Sequence, residues 1–273
     1  MQKTENNNST TITLSANAML RGLRQNLNEA PRDDFGGIMD LIEHHKVTFI
    51  AEIGLNHNGN MGLLFELIKQ AKLADADIAK FQLGWRSGHN EINRIENREI
   101  LLIQECCNYH GIQPMFSIFT DDAFELASKY NFAAYKVASR TVSENKPLVE
   151  KILNLNVRTF ISLGMTEEQF PFGQKENIEY LWCKSEYPAL PWNLTDLPKK
   201  FSSNNVIGYS DHSVGIEVPL MAIMRGAKVI EKHFTLDKSD TTIRDHALSA
   251  TPDEFSHLVT LGRSISRNLS LGM

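Results

Sequence analysis

From Val47 onward, short apolar runs alternate with stretches of helical periodicity, and each run ends in polar or glycine-rich residues. The runs cover 48–53, 78–83, 113–118, 133–138, 158–163, 178–183, 205–209 and 228–232. Their spacing of about 20 to 35 residues is the period of βα units rather than of a β-sandwich. Apolar residues at helical spacing fill 63–74, 94–109, 122–129, 146–155, 216–225 and 252–266. The stretch 166–175 holds Pro171 and Gly173, so a truncated or irregular connection is expected after the fifth run. Eight strand–helix pairs predict an α/β fold, a (β/α)8 TIM barrel over 47–273. A doubly wound open sheet is the alternative, but no G-x-G-x-x-G follows a strand to support it.

Upstream of Val47 the pattern differs. Residues 1–14 are polar and rich in Asn and Thr, as in a disordered tail. Leu20, Leu23 and Leu27 stand at helical spacing within 15–29, the stretch 31–37 breaks that helix, and a short one over 38–44 follows. Together these give an N-terminal segment, 1–46, of tail and capping helices. No apolar h-region follows Met1, so no signal peptide is expected. No run of about 18 apolar residues is present, so no membrane span is expected either. Cys106, Cys107 and Cys183 form no C-x-x-C pair and leave one unpaired under any disulfide scheme, which fits a reduced, cytoplasmic compartment. The net charge of −5 argues against a nucleic-acid partner.

If the strands are right, chemistry belongs at their carboxyl ends. Strand one carries Glu52 and then Asn56-His57-Asn58-Gly59; strand two carries Lys80 and Gln82; strand three ends at Ser117. Strand four holds Lys136 and Ser139, strand five Ser162, and Ser185 and Tyr187 follow strand six. Strand seven gives Ser210-Asp211-His212 and strand eight Glu231-Lys232-His233. Singly, each has a plain structural reading: a barrel-lining lysine in an ion pair, a serine in a turn or helix cap, a packed histidine. Eight strand ends each supplying a hydrogen-bonding group are harder to account for without a polar ligand, because buried polar atoms need partners. Lys80 and Lys136 suit a phosphate and a carboxylate, and the serines are short hydroxyl donors. His212 and His233 end adjacent strands and so suit one divalent cation, with coordination positions left for water and substrate.

These residues fall in a recognisable order. A-E-I-G-L-N-H-N-G at 51–59, A-K-F-Q at 79–82, Y-K-V-A-S at 135–139, G-Y-S-D-H at 208–212 and E-K-H-F-T-L-D-K at 231–238 resemble the N-acetylneuraminate (sialic acid) synthase family, which includes the legionaminic and pseudaminic acid synthases. The resemblance spans about 48–255. It implies a (β/α)8 barrel that condenses phosphoenolpyruvate with a sugar aldehyde, assisted by Mn2+ or Mg2+. It implies that Lys80, Ser139, Ser162, Ser185 and Ser210 hold the phosphate of phosphoenolpyruvate, and that Lys136 and Ser117 hold its carboxylate. His212 and His233 correspond to the metal ligands. Glu52, Gln82, Tyr187 and Asp245 stand where the family places catalytic and sugar-contacting groups, with Glu52 a candidate for handling the attacking water or its proton.

The sequence departs from the family on the sugar side. On the phosphoenolpyruvate side the changes are slight: Ser117 and Ser185 stand where Thr and Asn are common, both chemically tolerable. The usual Ser-x-Glu after strand four is Ser139-Arg140-Thr141, and the usual Gly-Pro-Asp-His stretch appears as Thr242-Ile243-Arg244-Asp245-His246. Family members usually carry a small C-terminal antifreeze-like domain that reaches a dimer partner's site. Because Met273 follows soon after the eighth helix, that contact is not expected here, and a homodimer is an open expectation. The sequence therefore predicts a synthase with a retained donor site and a changed acceptor, in which Arg140 or Arg244 supplies positive charge. Two other readings remain: a Schiff-base aldolase using Lys136 or Lys80, and a non-catalytic barrel that binds a partner synthase.

Overall fold

The computed structural model describes residues 46–85, 88 and 91–272. The tail and helices expected over 1–46 lie, except for Lys46, outside them.

Eight parallel strands close into a barrel in sequence order: β1 Thr48–Gly54, β2 Ile78–Leu83, β3 Gln113–Ile118, β4 Ala134–Val137, β5 Arg158–Ser162, β6 Ile178–Cys183, β7 Gly208–Asp211 and β8 Val229–His233. Around them run α1 Met61–Leu73, α2 Asn97–His110, α3 Asp121–Ala127, α4 Ser139–Glu144, α5 Lys146–Leu153, α6 Glu217–Met224 and α7 Pro252–Ser270. The TIM barrel predicted from periodicity is therefore the fold.

Local chemistry sets the helix ends. The Asn60 side chain accepts the Leu63 amide at the start of α1, and Thr120 does the same for Ala123 at α3. Reciprocal caps open α2 (Glu96 with Glu99) and α7 (Thr251 with Glu254), with Pro252 already holding a helical φ. Gly111, at φ 69°, closes α2 in the left-handed region that a β-carbon disfavours.

Three expectations need correction. The connections after β5 and β6 contain no α-helix among the described residues, only a 3-10 turn at Pro191–Asn193, so the predicted eight strand–helix pairs are six. The irregular stretch 166–175 accounts for the first; the second holds Pro188, Pro191 and Pro198, which break helical hydrogen bonding. Helix α4 was not predicted, because its six residues are too short to show a period; it makes Ser139 a first-turn helical residue rather than a strand end. The seventh strand lies at Gly208–Asp211 rather than 205–209, since ladder pairing with Leu181 and Val229 begins only at Gly208.

The barrel interior explains where the site lies. Ile50, Ile78, Met115, Ala134, Phe160, Leu181 and Val229 form a separate buried apolar plug, one residue from each strand but β7. In β7 the equivalent position is Gly208, where a β-carbon would come within 2.3 Å of the Val229 carbonyl oxygen. Side chains on a strand face repeat every second residue, about 6.6 Å further on. Two residues beyond the plug stand Glu52, Lys80, Ser117, Lys136, Ser162, Cys183, Ser210 and Glu231. The alternating residues face outward and pack under the helices in the larger core, with Phe49, Phe81, Phe116, Tyr135 and Tyr209 fully buried there. One pleat of each strand thus converts a dry floor into a polar ring.

Candidate active site

Above that ring lies a cavity of about 490 Å3. Glu52, Lys80, Gln82, Ser117, Lys136, Ser139, Ser162, Ser185, Tyr187, Ser210, His212, His233 and Asp245 all line it. These thirteen residues, to which the family resemblance gives donor, metal or acceptor roles, are therefore brought to one mouth of the barrel.

Two buried ammonium groups dominate the floor. The Nζ of Lys80 lies 2.8 Å from Glu52 Oε2 and donates to Ser117 Oγ at 2.9 Å. The Nζ of Lys136 donates to Ser162 Oγ at 2.8 Å. Between them stands Glu231, whose Oε1 lies 3.5 Å from Lys80 and 3.6 Å from Lys136 and accepts the Ser210 hydroxyl at 2.9 Å. Burial alone would raise the Glu231 carboxyl, but the two lysines outweigh it and hold the pKa down at about 2. Glu52 goes the other way. Its burial outweighs the help from Lys80, and the nearby Glu231 charge adds to the rise. The lysines also diverge. Burial lowers Lys136, which has fewer carboxylates close by, whereas Glu231 and Glu52 together reverse the effect of burial at Lys80 and raise it. The floor thus sets two lysines against two carboxylates, and Lys136, with the fewer carboxylates close by, gains most from an arriving anion.

A wall of small donors stands beside Lys136. The Gly164 amide donates to Ser139 Oγ at 2.9 Å, and a β-carbon on Gly164 would lie 2.5 Å from Ser185 Oγ and 3.1 Å from Ser139 Oγ. Glycine here keeps a notch open among hydroxyls, a surround that suits a compact oxyanion.

The histidines occupy the opposite side, with ring centroids 5.4 Å apart. His212 is oriented by a 2.8 Å bond from Nδ1 to the Lys184 carbonyl and by stacking on Tyr187 at 4.1 Å. Burial would strip its proton, but the Cys183 sulfur 3.7 Å from Nδ1 and the Lys184 carbonyl reverse this, leaving His212 above its usual value. Burial lowers His233 to about 3, so its ring is neutral, and its buried Nδ1 has no hydrogen-bond partner. Among the described residues no three His, Cys, Asp or Glu side chains form a ligand group. The pair still fits a cation that takes its other ligands from substrate and water: both imidazoles line one cavity, and His233 Nδ1 is an orphaned buried atom.

Four features escaped the sequence reading. Glu231 was noted at a strand end without a role, although its position two residues before His233 puts both on one face. Cys183 lines the cavity beside His212. At the mouth, Arg140 lies over Trp85 at 4.8 Å and Arg244 over Tyr187 at 4.6 Å, while Trp85 packs on Phe119 at 5.0 Å. Trp85 and Phe119 carried no signal, because only the folded loops bring them together. Conversely, Asn56-His57-Asn58-Gly59 does not line the cavity. Asn56 donates to the Phe234 carbonyl at 3.0 Å and Ser249 Oγ at 2.9 Å, and Asn58 meets Asp240 at 2.6 Å and His246 Nε2 at 3.0 Å. The motif pins the loop after β1 to the loop that carries Asp245.

Comparison with known proteins places this geometry in context. The model of the NeuB family matches residues 88–272. The N,N'-diacetyllegionaminic acid synthase of Campylobacter jejuni is 30% identical, over 84% of this chain and 79% of its own length. The pseudaminic acid synthase of the same species is 29% identical, over 83% and 76%. Among solved structures, the N-acetylneuraminic acid (sialic acid) synthetase of Leptospira borgpetersenii superposes with a TM-score of 0.75 at 30% identity, covering 82% of this chain and 85% of that one.

Proposed function

The chain belongs to the NeuB family, and from that membership we propose that it condenses phosphoenolpyruvate with the open-chain aldehyde of an N-acylated amino sugar, of N-acetylmannosamine type. The products are a sialic-acid-like nonulosonic acid and inorganic phosphate. The observation that carries this reading is the pair of buried ammonium groups of Lys80 and Lys136, flanked by hydroxyls, in the same cavity as His212 and His233.

In this reading Lys80, Ser139, Ser162, Ser185 and Ser210 hold the phosphate, and Lys136 and Ser117 hold the carboxylate. Arrival of the anion displaces Glu231 from between the lysines. The methylene carbon of phosphoenolpyruvate then attacks the aldehyde carbon. One C–C bond forms, the aldehyde oxygen takes up a proton to become a hydroxyl, and positive charge develops at the enol carbon. Glu52 and Glu231, both buried beside that carbon's site, stabilise this charge. Water adds to the enol carbon and gives up a proton, for which Glu52, a cavity-lining carboxyl with a raised pKa, is the candidate base. That proton passes on to the former aldehyde oxygen. The new hydroxyl on the enol carbon then loses its own proton and closes to a carbonyl as the bond to the phosphate oxygen breaks, and phosphate leaves with that proton into the hydroxyl notch. A divalent cation, Mn2+ or Mg2+, would be held by His212 and His233 and would supply Lewis-acid polarisation of the aldehyde. Gln82, Tyr187 and Asp245 line the acceptor side, and Arg140 and Arg244 stand at its mouth, paired with Glu144 at 3.7 Å and Asp245 at 3.3 Å, a rim that suits an acceptor different from the family's usual one.

Phosphate release from phosphoenolpyruvate with Mn2+ and a panel of amino-sugar aldehydes tests the proposal. Release that depends on one acceptor is expected; none with any acceptor overturns it. The lowered pKa of buried Lys136 favours one competing reading, a Schiff-base aldolase. That reading predicts a pyruvate adduct trapped by borohydride and no loss of activity with chelators.

A further inference from the structure

We propose that the buried Asp211–Lys232 ion pair, which lies outside the barrel wall, is a positioning device that sets the aim and separation of His212 and His233. The proposal rests on the metal-assisted reading above, because the separation of the histidines matters chemically only if they share a cation.

Asp211 and Lys232 are register partners on adjacent strands β7 and β8. The next residue on each chain is a cavity-lining histidine, so the pleat sends the ion pair outward and the two imidazoles inward. The Lys232 ammonium lies 2.7 Å from Asp211 Oδ2, and the two side chains are 1% and 0% exposed. Neither residue lines the cavity.

The pair is the centre of a satisfied network. Asp211 Oδ1 accepts the Tyr209 hydroxyl at 2.6 Å and the Ser213 amide at 2.7 Å. Lys232 also donates to the Ser213 carbonyl at 2.8 Å. The amide and the carbonyl of Ser213 are thus both clamped, one by β7 and one by β8, so the backbone that leaves His212 is held by both strands. The same lysine is the residue before His233. A displacement of either histidine-bearing segment would have to break a charge-assisted bond.

Stability alone explains this arrangement poorly. A buried ion pair recovers little more than its desolvation cost, and well-packed apolar side chains commonly serve as well or better. What such a pair does supply is directional definition. Groups hydrogen-bonded to metal ligands change cation affinity by about 10- to 100-fold, and this pair, which acts on the histidines through the backbone, belongs at the lower end of that range.

The test is the double variant D211N/K232M, which removes both charges together and leaves no lone buried ion. Mn2+ affinity is read from the electron paramagnetic resonance signal of the free ion, and phosphoenolpyruvate affinity separately by calorimetry. The expected result is a loss of Mn2+ affinity of about tenfold or more, with phosphoenolpyruvate binding, held chiefly from β2 to β6 with only Ser210 on β7, within about twofold of the parent. Mn2+ affinity within about twofold of the parent overturns the proposal, as does an equal loss for both ligands, which would mark a fold-wide effect. The variant Y209F, which removes one contact to Asp211 and keeps the ion pair, is expected to weaken Mn2+ binding by roughly two- to threefold, a fraction of what one hydrogen bond contributes. If the double variant does not fold, unchanged Mn2+ binding by Y209F overturns the proposal instead. An unmodified protein that binds phosphoenolpyruvate but no Mn2+ would overturn the metal-assisted reading itself, an outcome distinct from equal Mn2+ binding by parent and variants.

Discussion

Replacing Glu231 with glutamine removes the carboxylate that stands between Lys80 and Lys136 while keeping the shape of the side chain. The lysines hold that carboxyl at about 2 rather than 4.5. At about 1.4 kcal/mol for each pH unit, this is about 3 kcal/mol in favour of the charged form in the folded protein. Because the folded value is depressed, the contribution is complete above about pH 4.5 and lost as pH falls towards 2, so at neutral pH the whole of it is at stake. Roughly 2–4 °C is expected for each kcal/mol in a domain of this size, so E231Q should melt about 6–12 °C lower than the parent. Ligand binding should respond in the opposite sense. In the parent, an incoming anion competes with Glu231 for the two ammonium groups; in E231Q it meets them unopposed. Saturating phosphoenolpyruvate should therefore raise the melting temperature of E231Q by more than it raises that of the parent, while turnover falls. Differential scanning fluorimetry with and without phosphoenolpyruvate reads both effects. An unchanged melting temperature together with an equal or smaller ligand shift would refute the charge-balance argument.

Other outcomes follow from the same geometry. Gly164→Ala places a methyl group into the notch between Ser139 and Ser185, and should weaken phosphoenolpyruvate binding by about tenfold or more in calorimetry, about 1.4 kcal/mol; undiminished affinity would remove the notch from the phosphate site. Burial holds His57 neutral down to about pH 4. Its folded value is depressed below 6.5, so it contributes to acid sensitivity: stability is full above about pH 6.5 and falls by about 3 kcal/mol between there and pH 4. Denaturant titrations should show a shallower loss over that window for His57→Gln, and parallel curves would contradict this. For a cation to bind, His212 must give up its proton, and its pKa lies above 6.5, whereas His233 is neutral above about 3. Mn2+ affinity should therefore rise with pH from 6.5 upward, and a flat profile would exclude His212 as a ligand.

Much of this was legible in the sequence because a barrel strand carries two signals at once. In Ile78-Ala79-Lys80-Phe81-Gln82, alternation alone puts Ile78 in the plug, Lys80 and Gln82 above it, and Phe81 under the helices. The order of the strands then brings distant residues such as Glu52 and His233 to one mouth, as register partners on β1 and β8. The cation–aromatic pairs of Arg140 with Trp85 and Arg244 with Tyr187 were not legible. They join loops after different strands, and no period links their positions. The Asn56–Gly59 motif misled for a related reason. Polar residues just past a strand end suit either a ligand or a neighbouring loop, and here the loop after β8 takes them. Helix α4 was too short to register as a period, yet it sets Ser139 at the cavity wall.

The most direct test of the account is a crystal structure of the protein soaked with phosphoenolpyruvate and Mn2+. The account predicts one phosphoenolpyruvate bridging the Lys80 and Lys136 ammonium groups, its phosphate among Ser139, Ser162, Ser185 and Ser210, with Glu231 moved aside and anomalous signal from manganese against His212 and His233. Phosphoenolpyruvate bound elsewhere, or manganese away from both histidines, would contradict it.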